Sequence, residues 1–332
     1  MSKPAAPRLF AMLLALAPAA ACRAQPAAND RNAPFVLEKV IPLPGVHGRI
    51  DHLAIDPAHH RLFVAELGNG SVEAIDLTKG APLGRINGLK EPQGLAYLPT
   101  RDELVVASGG DGTVRFYRAA DLSLLATMAL GEDADNVRVD PRSGRVVVGY
   151  GSGGLAVIDP ATRTVAAKLA LPAHPEGFRL AGAKVFVNLP DAHRIVVGDL
   201  AGQRITATWT ATHGWNFPMA LDAASNSLAV VYRLPARLQV LDAASGAQKA
   251  DRPTCGDADD VFFDAKRQRL YVVCGSGAVD VFASGDFHHL VKAPTRPGAR
   301  TGLFAPELDR LFVAARATPG EEAVVQVYRP NP

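Results

Sequence analysis

Leu62-Phe63-Val64-Ala65, an apolar run after the polar turn Asp56-Pro57-Ala58-His59-His60, is written seven times along this chain. Its other copies are Leu104-Val105-Val106-Ala107, Val146-Val147-Val148-Gly149, Val185-Phe186-Val187-Asn188, Leu228-Ala229-Val230-Val231, Leu270-Tyr271-Val272-Val273 and Leu311-Phe312-Val313-Ala314. Their first residues are 42, 42, 39, 43, 42 and 41 positions apart. A period near 40 with several short strands per unit marks the blades of a propeller, because a lone four-stranded blade cannot bury both faces and must stack on neighbours. The expectation is an all-β fold: a seven-bladed β-propeller with four antiparallel strands per blade.

The first unit shows how a blade is written. Leu53-Ala54-Ile55 reads as the inner strand and Arg61 to Ala65 as the second. Gly68-Asn69-Gly70 is a tight turn, Val72-Glu73-Ala74-Ile75 the third strand, and Asp76-Leu77-Thr78-Lys79-Gly80 the turn into the fourth. Proline fixes φ, glycine supplies positive φ, and aspartate bonds its own backbone, so these clusters end strands for identifiable reasons. The seventh unit stops after its third strand, Val324-Val325-Gln326-Val327-Tyr328, and the segment Phe35 to Ile41 is left over at the other end. That N-terminal strand is expected to complete blade seven and close the ring, removing an open sheet edge. The propeller is therefore assigned to residues 35–332, with no second domain.

The units, with Val185-Phe186-Val187-Asn188 as the best single copy, resemble the Tyr-Val-Thr-Asn (YVTN) repeat family of bacterial seven-bladed propellers over nearly the whole mature chain. The resemblance implies this fold and an exported protein. It relates the chain in architecture to sugar-lactone hydrolases and quinoprotein dehydrogenase propellers, but a shared fold does not fix a function.

The N-terminus reads as an export signal over residues 1–24. Lys3 and Arg8 precede the apolar stretch from Leu9 to Leu16, and small residues follow up to Cys22-Arg23-Ala24. Cleavage after Ala24 or Ala21 fits the small-residue rule. Lipid anchoring at Cys22 is the alternative, although Ala19 stands where a lipoprotein signal usually has leucine. Residues 25–34 read as a disordered lead. The expected location is periplasmic or secreted, and no stretch is long enough for a transmembrane span. Cys255 and Cys274 remain as the mature pair. In an oxidising compartment they are expected to form a disulfide; two free thiols, or a metal or haem pair without any Cys-x-x-Cys, are the other readings. A net charge of +2 with both signs interspersed gives no argument for nucleic acid or an anionic membrane as partner.

Aligning the seven inner-strand entries locates a candidate site. Two positions before the first apolar residue stand Asp51, Gln93, Asp135, Glu176, Phe217, Asp259 and Thr301. One position before it stand His52, Gly94, Asn136, Gly177, Pro218, Asp260 and Gly302, with Arg49, Glu91, Asp133, His174, Asn216, Asp257 and Arg300 nearby. Inner strands line a propeller's channel, so these residues form an oxygen-rich ring around one mouth. Asp51, Gln93, Asp135, Asn136, Glu176, Asn216, Asp259, Asp260 and Arg300 are the candidate ligand-binding residues. Asp51, Asp135, Glu176 and Asp259 are the candidate ligands for a divalent cation such as Ca²⁺, since crowded carboxylates repel unless a cation or arginine compensates them. Arg49 and Arg300 offer that compensation without metal. The plainer reading is that these residues cap turns and solvate a water-filled channel. Trp215 and Phe217 suggest an apolar wall beside the ring.

There is no Gly-x-Ser-x-Gly elbow, phosphate loop or His-Glu-x-x-His motif. The leading functional expectation is an exported binding or scaffold propeller that takes a small-molecule or protein ligand on the strand-entry face. A metal-assisted lactone or ester hydrolase, with His52 or His174 moving protons, is the second. An accessory propeller of a periplasmic quinoprotein or cytochrome system is the third, though the sequence lacks haem-attachment motifs.

Overall fold

A computed structural model describes Met1 and residues 33–332; the expected signal, the alternative anchoring position Cys22 and most of the expected lead lie outside the described residues. The chain forms seven four-stranded antiparallel sheets arranged as blades. From blade one to blade seven the inner strands are Leu53–Asp56, Pro92–Leu98, Val137–Val139, Phe178–Ala181, Gly214–Asp222, Ala258–Asp264 and Thr301–Ala305. The seven repeated apolar runs are the second strands, and they are almost completely buried because neighbouring blades cover both of their faces. Each packing cluster draws on two adjacent blades: Leu62, Val64 and Ile75 of blade one meet Phe312, Val325 and Val327 of blade seven.

The turn between the first two strands repeats in conformation as well as in sequence. His60, Asp102, Gly144, Asn226, Gln268 and Asp309, each two positions before the second-strand run, adopt positive φ between 49° and 69°. Asn, Asp and Gly enter this left-handed region most readily, which explains the polar residues that punctuate the repeat.

The ring closes as the sequence suggests. Phe35–Pro42 pairs antiparallel with Val324–Pro330, from Phe35 opposite Pro330 to Pro42 opposite Val324, with a register shift between Leu37 and Lys39. Ile41 and Leu43 are fully buried at this seam, and the Phe35 ring sits edge-on to Tyr271 at 5.0 Å and to Tyr328 at 6.0 Å. Glu38 binds Arg310 and Arg329. Upstream, the carbonyls of Ala33 and Pro34 accept hydrogen bonds from Asn331. Blade six carries the Cys255–Cys274 disulfide, with Cα atoms 5.8 Å apart and both residues buried. No helix among the described residues is long and apolar enough to cross a membrane.

Candidate functional site

The entries to the inner strands surround a cavity of about 170 Å³ at one mouth of the central channel. Asp51, Gln93, Asp135, Asn136, Glu176, Asp259, Asp260 and Arg300 all line it, as do His52 and His174. Close approach between blades shapes this ring. A side chain on Gly94 would put its Cβ 2.1 Å from the Asp135 carbonyl oxygen, and one on Gly177 would come within 2.5 Å of the Phe217 carbonyl. Glycine at these entries lets adjacent backbones touch.

Asn216 does not join the ring. It lies three positions before Met219, where other blades bury Ile50, Pro92, Ala134, Pro175 and Ala258, and its amide donates to Asn188 Oδ1 and the Arg194 carbonyl, each at 3.1 Å. Phe217 lines the cavity beneath the Arg233 guanidinium, 4.1 Å from its ring centroid, whereas Trp215 is 54 % exposed and outside the lining. The aromatic wall is thus one ring, stacked on a cation.

The acidic ring divides into two parts. Asp51 is held by Arg49 at 2.6 Å. Asp259 is clamped by Arg233 and by Arg300, the latter at 2.8 Å. Asp135 and Glu176 have no such partner, and together with His174 they offer three ligand atoms lying within 4.8 Å of one another. Burial drives the carboxyl groups of both upward toward the protonated form; Glu176 and Asp51 add repulsion at Asp135, and Asp259 and Asp51 add it at Glu176. Asp135 Oδ1 is buried with no hydrogen-bond partner, while Oδ2 receives the Asn136 amide at 3.4 Å. His174 Nδ1 lies 2.6 Å from the Gly151 carbonyl, which makes Nδ1 the proton-bearing nitrogen and leaves Nε2 free as an acceptor or ligand.

Farther along the channel the cavity meets a second one of about 280 Å³, and His52, Arg138, Arg179 and Asp260 line both. Burial pushes the Asp260 carboxyl up to about 8 against the pull of the Gly302 N–H, which donates to Asp260 Oδ2 at 2.9 Å. Burial lowers His52, favouring its neutral form, and lowers Arg179 to about 9 with help from Arg138.

The alignment of entry residues missed Arg138, Arg179 and Arg233. The first two had a readable signal. Each follows the first apolar residue of its inner strand, where the other five blades carry Ala54, Ala96, Ala220, Phe262 and Phe304. An arginine flanked by apolar residues on a strand that lines the axis is a departure from the repeat. Arg233 comes from the second strand of blade five, Ser227–Leu234, and so lies outside any alignment of inner-strand entries. Asp133 and Asp257, which precede Ala134-Asp135 and Ala258-Asp259, also have a backbone reason: both sit at positive φ, 51° and 59°.

No family model matches the sequence, and no curated protein matches it. Among solved structures the chain is similar to a chain of Kuenenia stuttgartiensis hydrazine synthase, at 15 % identity and a TM-score of 0.75, covering 86 % of this chain and 98 % of that one. It is equally similar to a chain of the mitotic checkpoint complex, at 17 % identity and a TM-score of 0.75, covering 97 % and 99 %. At such identities the likeness is one of fold.

Proposed function

We propose that this chain is an exported ligand-binding propeller of the YVTN-repeat kind, which takes a small polar molecule into the axial cavity. The observation that carries this reading is Asp135, a residue 6 % exposed that lines the cavity with one carboxyl oxygen unpartnered. Leaving such an atom unsatisfied costs roughly 1–3 kcal/mol, a cost a bound ligand removes. Carboxyls from four blades converge there, so no single turn explains them. Export is supported by the charged-then-apolar N-terminus and by the buried Cys255–Cys274 bridge, which belongs to an oxidising compartment. The test is a ligand screen read by melting temperature, since a molecule that binds only the folded state raises it. Binding of the ligand found is expected to disappear in Asp135→Asn combined with Asp259→Asn. Unaltered binding by that variant rejects the axial site.

One observation favours a second reading, a metal-assisted hydrolase: Asp135, His174 and Glu176 bring two carboxylate oxygens and an imidazole nitrogen within 4.8 Å of one another. That donor set suits a divalent cation, but Asp51 and Asp259, already neutralised by arginine, do not add to it. A cation there would supply an activated water, and His52, held neutral, would accept its proton. Stoichiometric metal in the purified protein, lost in Glu176→Gln, supports this reading over the first.

A further inference from the structure

Arg138 and Arg179 stand on the inner strands of adjacent blades and line both axial cavities. Their hydrogen bonds are to neutral oxygens: Arg138 donates to the Val137 carbonyl at 2.7 Å and to Asn136 Oδ1 at 3.2 Å, and Arg179 to the Phe178 carbonyl at 2.9 Å. Neither forms an ion pair with a carboxylate among the described residues. This contrasts with Arg49, Arg233 and Arg300 nearer the mouth, each of which does. Two neighbouring cations set in a protein channel with their remaining N–H donors facing a cavity are costly unless an anion joins them.

The whole lining carries five guanidinium groups and six carboxyls. Three of the five guanidinium groups, Arg49, Arg233 and Arg300, are already paired with Asp51 and Asp259, and Arg138 and Arg179 are not paired. Above the arginines waits the unpartnered Asp135 Oδ1. Asn136 links the two levels, its amide nitrogen on Asp135 Oδ2 and its amide oxygen under Arg138. One side chain, Asn136, thus bridges Arg138 and the carboxyl group that carries the free oxygen.

We propose that Arg138 and Arg179 bind the carboxylate of a small hydroxy acid whose hydroxyl bonds to Asp135. A planar carboxylate matches the fork geometry of guanidinium donors. A hydroxyl both donates and accepts, so it satisfies Asp135 whether or not that carboxyl holds a proton. Inorganic phosphate fits less well, because it has no separate hydroxyl arm to reach Asp135 while its oxygens sit on the arginines. This assignment rests on the axial cavity being the ligand site and adds to it the ligand's chemistry.

The experiment compares melting temperature in glycolate, lactate and malate with acetate, phosphate and chloride at equal ionic strength, for the parent, Arg138→Gln and Arg179→Gln. Hydroxy acids are expected to stabilise the parent more than acetate or phosphate does, and either substitution to weaken that binding at least tenfold. Without added anion both variants should melt at or above the parent, because each relieves repulsion between the arginines. A variant that melts lower there shows that the arginine is structural and overturns the proposal. So does phosphate acting as strongly as the hydroxy acids, the absence of any hydroxy-acid effect, or an effect that survives both substitutions. If a different ligand from the screen is lost in the Asp135→Asn, Asp259→Asn variant, only the hydroxy-acid assignment falls. If no ligand depends on that pair, the axial site falls with it.

Discussion

Replacing Asp260 by asparagine isolates the electrostatics of the channel in one atom. Asn keeps an oxygen for the Gly302 N–H, which Asp260 accepts at 2.9 Å, and removes only the titration. Asp260 is 5 % exposed, and its burial raises the carboxyl from 3.8 to about 8. A raised carboxyl means that the folded chain holds its proton to higher pH than the unfolded chain does. The stabilisation is complete below about pH 4 and is lost as pH climbs through 8. A rise of about four units at about 1.4 kcal/mol each amounts to about 6 kcal/mol across that window. For a domain of about 300 residues, with an unfolding entropy near 0.6 kcal/mol/K, this corresponds to about 9 °C in melting temperature. The assay is thermal unfolding of parent and Asp260→Asn from pH 4 to pH 9 in low-anion buffer. Asp135 and Glu176 titrate in both proteins, so the difference between the two curves reports Asp260 alone. The variant should gain on the parent steadily as pH rises, by up to about 9 °C. Parallel curves would refute the reasoning, for they would mean that Asp260 is ionised in the folded protein and that Arg138 and Arg179 already have their counter-charge.

Other outcomes follow from the same structure. Reducing the Cys255–Cys274 bridge, which spans a sequence separation of 19, should cost about 3 kcal/mol in the chain-entropy account, and thiol labelling of unfolded, unreduced mature protein should find neither cysteine free. Two reactive thiols there would contradict the bond. Deleting residues 35–43 while keeping an export signal should expose the Val324–Pro330 edge and give aggregated protein, and the milder Ile41→Ala should destabilise by about 2–5 kcal/mol through the cavity it leaves. A monomeric truncated protein melting like the parent would contradict the ring closure.

The fold was legible because it is written seven times. A blade needs apolar residues at fixed intervals and turn residues between them, and repetition averages out the exceptions, so even the pairing of Phe35–Pro42 with Val324–Pro330 followed from counting strands. The site was less legible because it consists of exceptions. Counting back from each inner strand placed Asp51, Asp135, Glu176 and Asp259 at one mouth, where the structure also has them. Asn216, taken only as a neighbour of those positions, does not join them, because it lies three positions before Met219, where other blades carry the buried Ile50, Pro92, Ala134, Pro175 and Ala258. Which carboxyls are paired depends on Arg233, a residue that reaches the ring from a different strand and that no inner-strand alignment contains. Arg138 and Arg179 were visible in the sequence as charges on apolar strands, but their meaning required knowing that, among the described residues, neither forms an ion pair with a carboxylate.

The central claim is that the axial cavity is where this protein binds its ligand. It is tested most directly by a crystal structure of the protein with the tightest ligand from the melting-temperature screen. The account predicts electron density for that ligand between Asp135 and the Arg138–Arg179 pair. Density elsewhere, such as in the cleft of about 300 Å³ at the seam of blades one and seven beside Lys39, Leu77 and Phe312, with only water on the axis, would contradict it.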